Sequence, residues 1–216
     1  MSDLADLLGS RAARLGLKIA GVVVALALVA TAGWFWLRAE DARGQAALAA
    51  AAEAVQQGEG PPLATAEARQ KAIGVLQAVL AQHGRSSAAP QAAYQLGNLQ
   101  YQAGDYAAAR AAYEIALAKG AGGSLRTLSA SGIGYTWEAE KNYVNAVTAY
   151  EAAARGLDPK QFFFEEGLLD LARAQALAGR PAEARATYER VLKDAPETRR
   201  AEDIRGRIAA LPAGAR

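Results

Sequence analysis

The sequence predicts an all-α protein: a single N-terminal transmembrane helix, an α-solenoid of about four helical hairpins, and a C-terminal capping helix. Three observations carry this. An uncharged apolar run from Ile19 to Leu37 is long enough to cross a bilayer. A small–aromatic–small face recurs downstream at near-constant spacing. Throughout that region the apolar residues repeat with a helical period, in a chain that is 52% hydrophobic.

The repeat is clearest between Gln91 and Leu117. Gly104-Asp105-Tyr106 makes a turn in which Gly tolerates positive φ and Asp can cap the following helix. After it, Ala109, Tyr113 and Ala116 share one face at i, i+4 and i+7. Ala146, Tyr150 and Ala153 repeat that face, as do Ala184, Tyr188 and Val191, with Ala72, Leu76 and Val79 as a degenerate fourth copy. A small residue stands twelve positions before three of these alanines, at Gly97, Gly134 and Ala172, leaving room for a second helix. Matching turns fall at Lys141-Asn142-Tyr143 and Gly179-Arg180-Pro181. The leading alanines are 37, 37 and 38 residues apart. This register resembles the tetratricopeptide (TPR) repeat, a helix–turn–helix unit of about 34 residues. The resemblance covers residues 64–196 and implies a TPR-like solenoid whose ligands are proteins; which proteins is not implied, because such arrays serve many partners.

Upstream, residues 1–18 read as a cytoplasmic amphipathic head with Leu4, Leu7, Leu8 and Leu15 on one side and Arg11, Arg14 and Lys18 available to lipid phosphates. The alternative is a tail whose positive charges only set topology. Residues 19–37, at 1.5 Å each, span about 28 Å, close to the hydrocarbon thickness of a membrane. Trp34, Phe35 and Trp36 stand at the far end, where amphipathic rings favour the interface. Ala30-Thr31-Ala32 has the form of a signal-peptide cleavage site. The uncleaved anchor is preferred, because the apolar run continues past that site. More basic residues precede the span than closely follow it, which puts the N-terminus inside and the repeats outside the cytoplasm, the periplasm in a bacterium.

Residues 38–63 form an Ala-rich helix and linker, read as a continuation of the membrane helix with Gly44 as its weak point; Gly58 to Pro62 ends it. Thr65 caps the partner helix, and His83, the sole histidine, sits at its end as a dipole partner. Trp137 is assigned to core packing. Asp158-Pro159 reads as N-cap and first helical residue of the fourth hairpin, so that Phe162, Phe163 and Phe164 all lie on its first helix. Phe164 then faces the core and Phe162 the groove, with cover over the preceding loop as the alternative. Residues 197–216 make the capping helix and tail that a solenoid needs at its end.

No catalytic, cofactor or metal site is expected. The chain lacks Cys, has one His, and shows neither a phosphate-binding Gly loop after a strand nor a nucleophile–base constellation. Glu165-Glu166 and Glu202-Asp203 read as solvated helix faces. Net charge is +2, and basic and acidic side chains beyond the span nearly balance, which argues against nucleic acid as a ligand. Binding is the expected function, on the concave face lined by the first helix of each hairpin. There the sequence places Gln91, Tyr94, Gln95, Asn98, Tyr101 and Gln102, then Leu128, Ser131, Tyr135 and Glu138, then Phe162, Glu166, Leu169, Asp170 and Arg173. Tyr supplies broad apolar area and Gln and Asn bond to backbone amides, which suits extended polypeptide; the alternative for some tyrosines is packing between hairpins. TPR co-chaperones that clamp a C-terminal carboxylate use Lys, Arg and Asn here. Asn98 matches, while Tyr94 and Ser131 do not.

A short head, one membrane helix ending Gly33-Trp34-Phe35-Trp36, an Ala/Arg-rich helix from Asp41-Ala42-Arg43 onward and a small TPR domain resemble the YfgM-like family. These are bacterial inner-membrane proteins with periplasmic TPR domains, ancillary to the SecYEG translocon and to periplasmic chaperones. The resemblance implies a single-pass adaptor that holds unfolded or emerging polypeptides near the translocon. The alternative is a TPR scaffold for an envelope complex in division, secretion or outer-membrane assembly, using the convex face or the Phe162–Phe164 region.

Overall fold

A computed structural model describes residues 11–56 and 65–212 of the chain, and everything described is helix or turn. Helix α1 (Arg11–Gln56) is unbroken over 46 residues, about 69 Å at 1.5 Å per residue. Then come α2 (Ala66–His83), α3 (Ala89–Gln102), α4 (Tyr106–Ala118), α5 (Gly123–Ala139), α6 (Tyr143–Ala154), α7 (Phe164–Leu177), α8 (Pro181–Asp194) and α9 (Ala201–Ala210). Successive helices pair as antiparallel hairpins. Helix α3 also packs on α5, and α5 on α7, so the first helices form the inner layer of a curved array. Residues 1–10 of the expected head, 1–18, and the Gly58–Pro62 break lie outside the described residues, while residues 11–18 are the start of α1.

Local chemistry sets the hairpins. Thr65 Oγ1 accepts from Ala68 N at 3.1 Å, Asp105 Oδ1 from Ala108 N at 3.0 Å, and Asn142 Oδ1 from Asn145 N at 3.3 Å. Each satisfies one donor that a helix start leaves open. The reversals need a left-handed residue, supplied by Gly104 (φ 81°) and Gly179 (φ 74°); in the third hairpin Lys141 takes the same role at φ 60° without being glycine.

Glycine–tyrosine contacts join the layers. A Cβ on Gly97 would come within 2.6 Å of the Tyr113 ring, and one on Gly132 within 2.6 Å of the same ring. Tyr113 is therefore held between its own hairpin and the next. Gly134 stands in the same relation to Tyr150, at 2.4 Å. Ala109, Ala116, Ala146, Ala153 and Ala184 are fully buried beside the rings. Ile204 of α9 closes the array against the cluster that holds Tyr188 and Val191.

Helix α1 divides by environment. Its large apolar residues from Leu15 to Leu37 are exposed, and this stretch is long and apolar enough to cross a membrane. Its last third packs Ala47, Leu48 and Ala51 on Ala72, Ile73 and Leu76, forming the first helix of the first hairpin. Gly44, expected as a weak point, is a contact: a Cβ there would meet Ser86 Oγ at 2.1 Å. Around it Asp41 Oδ1 accepts from Ser87 N at 2.6 Å, and Gln45 Nε2 donates to Ser87 Oγ at 2.9 Å. The bond from Ser87 N, with the Ser87 hydroxyl, holds the Asp41 carboxyl below its usual range. His83 does more than sit at a helix end, since its Nδ1 lies 3.1 Å from Glu40 Oε1 across the hairpin.

Two expected boundaries are corrected. Helix α7 begins at Phe164, not near Pro159. Asp158 Oδ1 accepts from Lys160 N at 2.9 Å and Gln161 Oε1 from Asp158 N at 3.0 Å, closing a local turn where a helix was expected. Phe164 is buried, Phe163 half-buried, and Phe162 projects at 90% exposure. The capping helix starts at Ala201, after a turn in which Thr198 N donates to Ala195 O.

Candidate partner-binding groove

The inner face is built from α3, α5 and α7. On α3, Gln91, Tyr94, Gln95, Asn98 and Tyr101 are half-buried and Gln102 is exposed. Tyr94 leans on Tyr113 with ring centroids 5.9 Å apart, and Tyr101 on Tyr106 at 5.4 Å, so each ring is packed on a neighbour while staying half-exposed. Burial, with Tyr106 and Glu138 nearby, pushes the Tyr101 hydroxyl up from its ordinary value.

Deeper in the groove the polar groups bond to one another. Tyr113 Oη donates to Asn98 Oδ1 at 2.8 Å. Tyr150 Oη donates to Glu138 Oε2 at 2.8 Å, and Arg173 grips the same carboxylate through two bonds of 2.8 and 2.9 Å. Arg173 also reaches Asp170 at 2.7 Å, and Tyr135 Oη donates a short bond to Asp170. This floor links α5, α6 and α7 in one network. Burial favours the neutral Glu138, but the bonds from Arg173 and Tyr150 outweigh it and hold the carboxyl below its ordinary value. For Asp170, which is 2% exposed, burial wins over Tyr135 and Arg173 and the carboxyl is raised. The bond to Glu138, then the two nearby carboxylates, raises Arg173 still further.

The structure sorts the expected groove residues into two groups. Gln91, Tyr94, Gln95, Tyr101 and Gln102 keep free edges. Asn98, Tyr135, Glu138 and Arg173 are partly open but committed to intramolecular bonds, while Ser131 and Leu169 are buried. Phe162 is not in this face at all. It precedes α7 and lines a separate cavity with Arg126 and Arg155, because the turn at Asp158 delays the helix.

Two features were not foreseen. Glu165 and Glu166, read as solvated, pair with Arg200 at 3.4 and 2.6 Å; Asp203 likewise pairs with Arg207 at 2.8 Å. These arginines, with Glu166 and Arg173, line a cavity of about 360 Å³ at the groove's C-terminal end. The Arg199-Arg200 pair ahead of the cap was the available signal. Trp137, assigned to the core, is half-buried, with the Arg110 guanidinium stacked 3.8 Å above its ring and held there by Glu140 at 2.7 Å. Among the described residues no group of acidic or His side chains could hold a metal.

Tetratricopeptide-repeat family models match residues 63–124, 94–162 and 138–208. No curated protein matches the chain. Among solved structures, the MamA RS-1 ArsTM double mutant is similar with a TM-score of 0.54 at 14% identity, covering 77% of this chain and 85% of that one. A Podosopora anserina putative kinesin light chain with nearly identical TPR-like repeats has a TM-score of 0.53 at 16% identity, covering 79% and 95%. At these identities the likeness bears on fold alone.

Proposed function

Because the chain belongs to the tetratricopeptide-repeat family, whose arrays are protein-interaction scaffolds, we propose that it is a membrane-anchored adaptor that holds polypeptide partners in the groove of its inner face. The observation that carries this is the α3 surface. Tyr94 and Tyr101 both stay half-exposed, beside the amides of Gln91, Gln95 and Gln102. Rings and amides recognise backbone and apolar side chains without demanding one sequence. The floor residues Ser131, Tyr135, Glu138, Leu169 and Arg173 shape the groove, and the polar groups of Tyr135, Glu138 and Arg173 already have partners. The exposed apolar part of α1 is the anchor in this reading, and the charge bias around it favours a groove outside the cytoplasm. A partnership with the Sec translocon is supported only by the YfgM-like resemblance.

The test uses the full chain in detergent with a permanently unfolded model polypeptide. Replacing Tyr94 and Tyr101 together by Ala should weaken binding while far-UV circular dichroism stays unchanged; unaltered affinity would remove the groove assignment. Mild-detergent purification from native membranes tests the finer reading, since translocon subunits should co-purify with an uncut chain. A mature mass beginning at Gly33 would instead show cleavage and end the anchored reading.

A further inference from the structure

The array has two edges, and they differ in charge. Helix α1 runs away from its apolar segment and α2 runs back, so the first inter-hairpin connection returns to the end of that segment. The ties are the Glu40–His83 and Asp41–Ser87 contacts, only three and four residues beyond Leu37. Along α1 that is about one helical turn. Trp36 lines the same cavity, of about 430 Å³, as Arg85 and Lys119. Since the helices alternate in direction, the later connections, at 119–122, 155–163 and 195–200, fall on this same edge.

Over its first three connections that edge is basic. They and the adjoining first turn of α5 hold Arg85, Lys119, Arg126, Arg155 and Lys160 against one acid, Asp158, whereas at the last connection Arg199 and Arg200 stand with Glu197 and with Glu165 and Glu166 in the first turn of α7. None of the five cations forms an ion pair with a described residue, and the Asp158 carboxylate is engaged by Lys160 N. Among the described residues the opposite edge is balanced, with Asp105 and Glu140 against Lys141 and Arg180 in its turns. On the basic edge stands Phe162, the most exposed large apolar side chain described, its ring braced edge-on by Phe163 at 5.0 Å. Arg126, Arg155 and Phe162 share a cavity of about 330 Å³. Cations around an exposed, braced ring match the chemistry of a lipid interface, where phosphates meet the upper acyl region.

We propose that this edge of the array lies on the bilayer, with Arg85, Lys119, Arg126 and Arg155 on anionic lipid headgroups and the Phe162 ring inserted between them. The proposal rests on Ile19–Leu37 being a membrane anchor and adds a second contact some three hairpins away. The domain is then laid against the surface and does not swing on α1. Each cation near an anionic surface shifts the docked-to-undocked ratio roughly fivefold.

The absence of Cys from the chain makes the test direct. A polarity-sensitive dye is attached to full-length Phe162→Cys in nanodiscs carrying, in parallel preparations, a headgroup-region quencher or an acyl-chain quencher (the latter read at position 29), with phosphatidylglycerol present or replaced by phosphatidylcholine. The same dye at Ala103→Cys, in an exposed turn of the far edge, and at Val29→Cys, in the apolar segment, gives the two limits. Position 162 should be quenched in anionic discs while position 103 is not. Adding Arg126→Gln and Arg155→Gln should cut the docked ratio roughly 25-fold. Quenching at 29 with none at 162 overturns the docking and leaves the anchor intact. Equal quenching at 162 in neutral and anionic discs overturns the headgroup contacts. No quenching at 29 overturns the anchor itself, and the docking with it.

Discussion

Replacing Gly134 by Ala tests whether glycine–tyrosine contacts hold the hairpins together. The new methyl carbon would sit 2.4, 2.6 and 2.7 Å from three atoms of the Tyr150 ring. The ring cannot yield cheaply, being fully buried with its hydroxyl bonded to Glu138 at 2.8 Å. Overpacking of this kind costs roughly 1–3 kcal/mol. Pulling the hydroxyl away from a carboxylate adds roughly 1.5–3 kcal/mol. Better helix propensity returns about 1 kcal/mol, leaving a net loss of about 1.5–5 kcal/mol. For a chain of this size that lowers Tm by roughly 3–20 °C. The control is Gly74→Ala, also inside a helix but with nothing within 4 Å of the added carbon; it should be neutral or stabilising by up to about 1 kcal/mol. Thermal unfolding of both full-length variants, followed by circular dichroism, measures the difference. If Gly134→Ala is as stable as Gly74→Ala, the close approach does not join the two helices.

Two further outcomes follow from the hairpins. Lys141 occupies the left-handed position that Gly104 and Gly179 fill elsewhere, so Lys141→Gly should raise stability by about 1 kcal/mol in denaturant melts; a loss would mean its side chain supplies something the turn needs. Glu138 has a carboxyl held below its ordinary 4.5, so its stabilising contribution is complete above that value and is lost as pH falls through the lower folded value. Asp170, raised above its ordinary 3.8, works in the opposite sense, favouring the folded state as pH falls into the interval above 3.8. Wild type should therefore exceed Glu138→Gln by roughly 1–2 kcal/mol at neutral pH, after allowance for partial exposure. That gap should close in acid, and a gap that is constant with pH would mean the carboxylate's charge is not what the network uses.

The fold was readable because its determinants are local and periodic. Ala109, Tyr113 and Ala116 recur as a face since a buried ring needs small neighbours, and the turn residues and caps stand at fixed offsets from it. Reading failed where local signals competed. Asp158-Pro159 carries both a helix-start and a turn signature, and the side chains of Asp158 and Gln161 bond within the turn. The sequence places polar residues of α3, α5 and α7 on the inner face but does not say which are already spoken for. Tyr135 meets Asp170, and Arg173 meets Glu138, across 35 residues; Glu166 meets Arg200 across 34. Such pairings are set by the stacking of hairpins, which no window along the chain reports. Phe162 was read as facing away from the core, which it does, but toward the groove, whose face it does not join.

Pairing on the groove floor bears on how a partner would be chosen. Breaking the Arg173–Glu138–Tyr150 network to make intermolecular bonds would leave partly buried charged groups unpaired, at a cost of roughly 1–3 kcal/mol. A ligand that keeps the floor intact must rely on Tyr94, Tyr101 and the amides of α3, which favours backbone and apolar contact over charge recognition. Helix α1 fixes where that contact happens. It runs unbroken from the apolar segment into the first hairpin, and the one helix-weakening residue between them, Gly44, is packed against Ser86. From Leu37 to Gln56 the helix advances about 28 Å. On the anchored reading, a polypeptide in the groove is thus held within roughly 30 Å of the bilayer, by a strut with no free hinge between span and repeats.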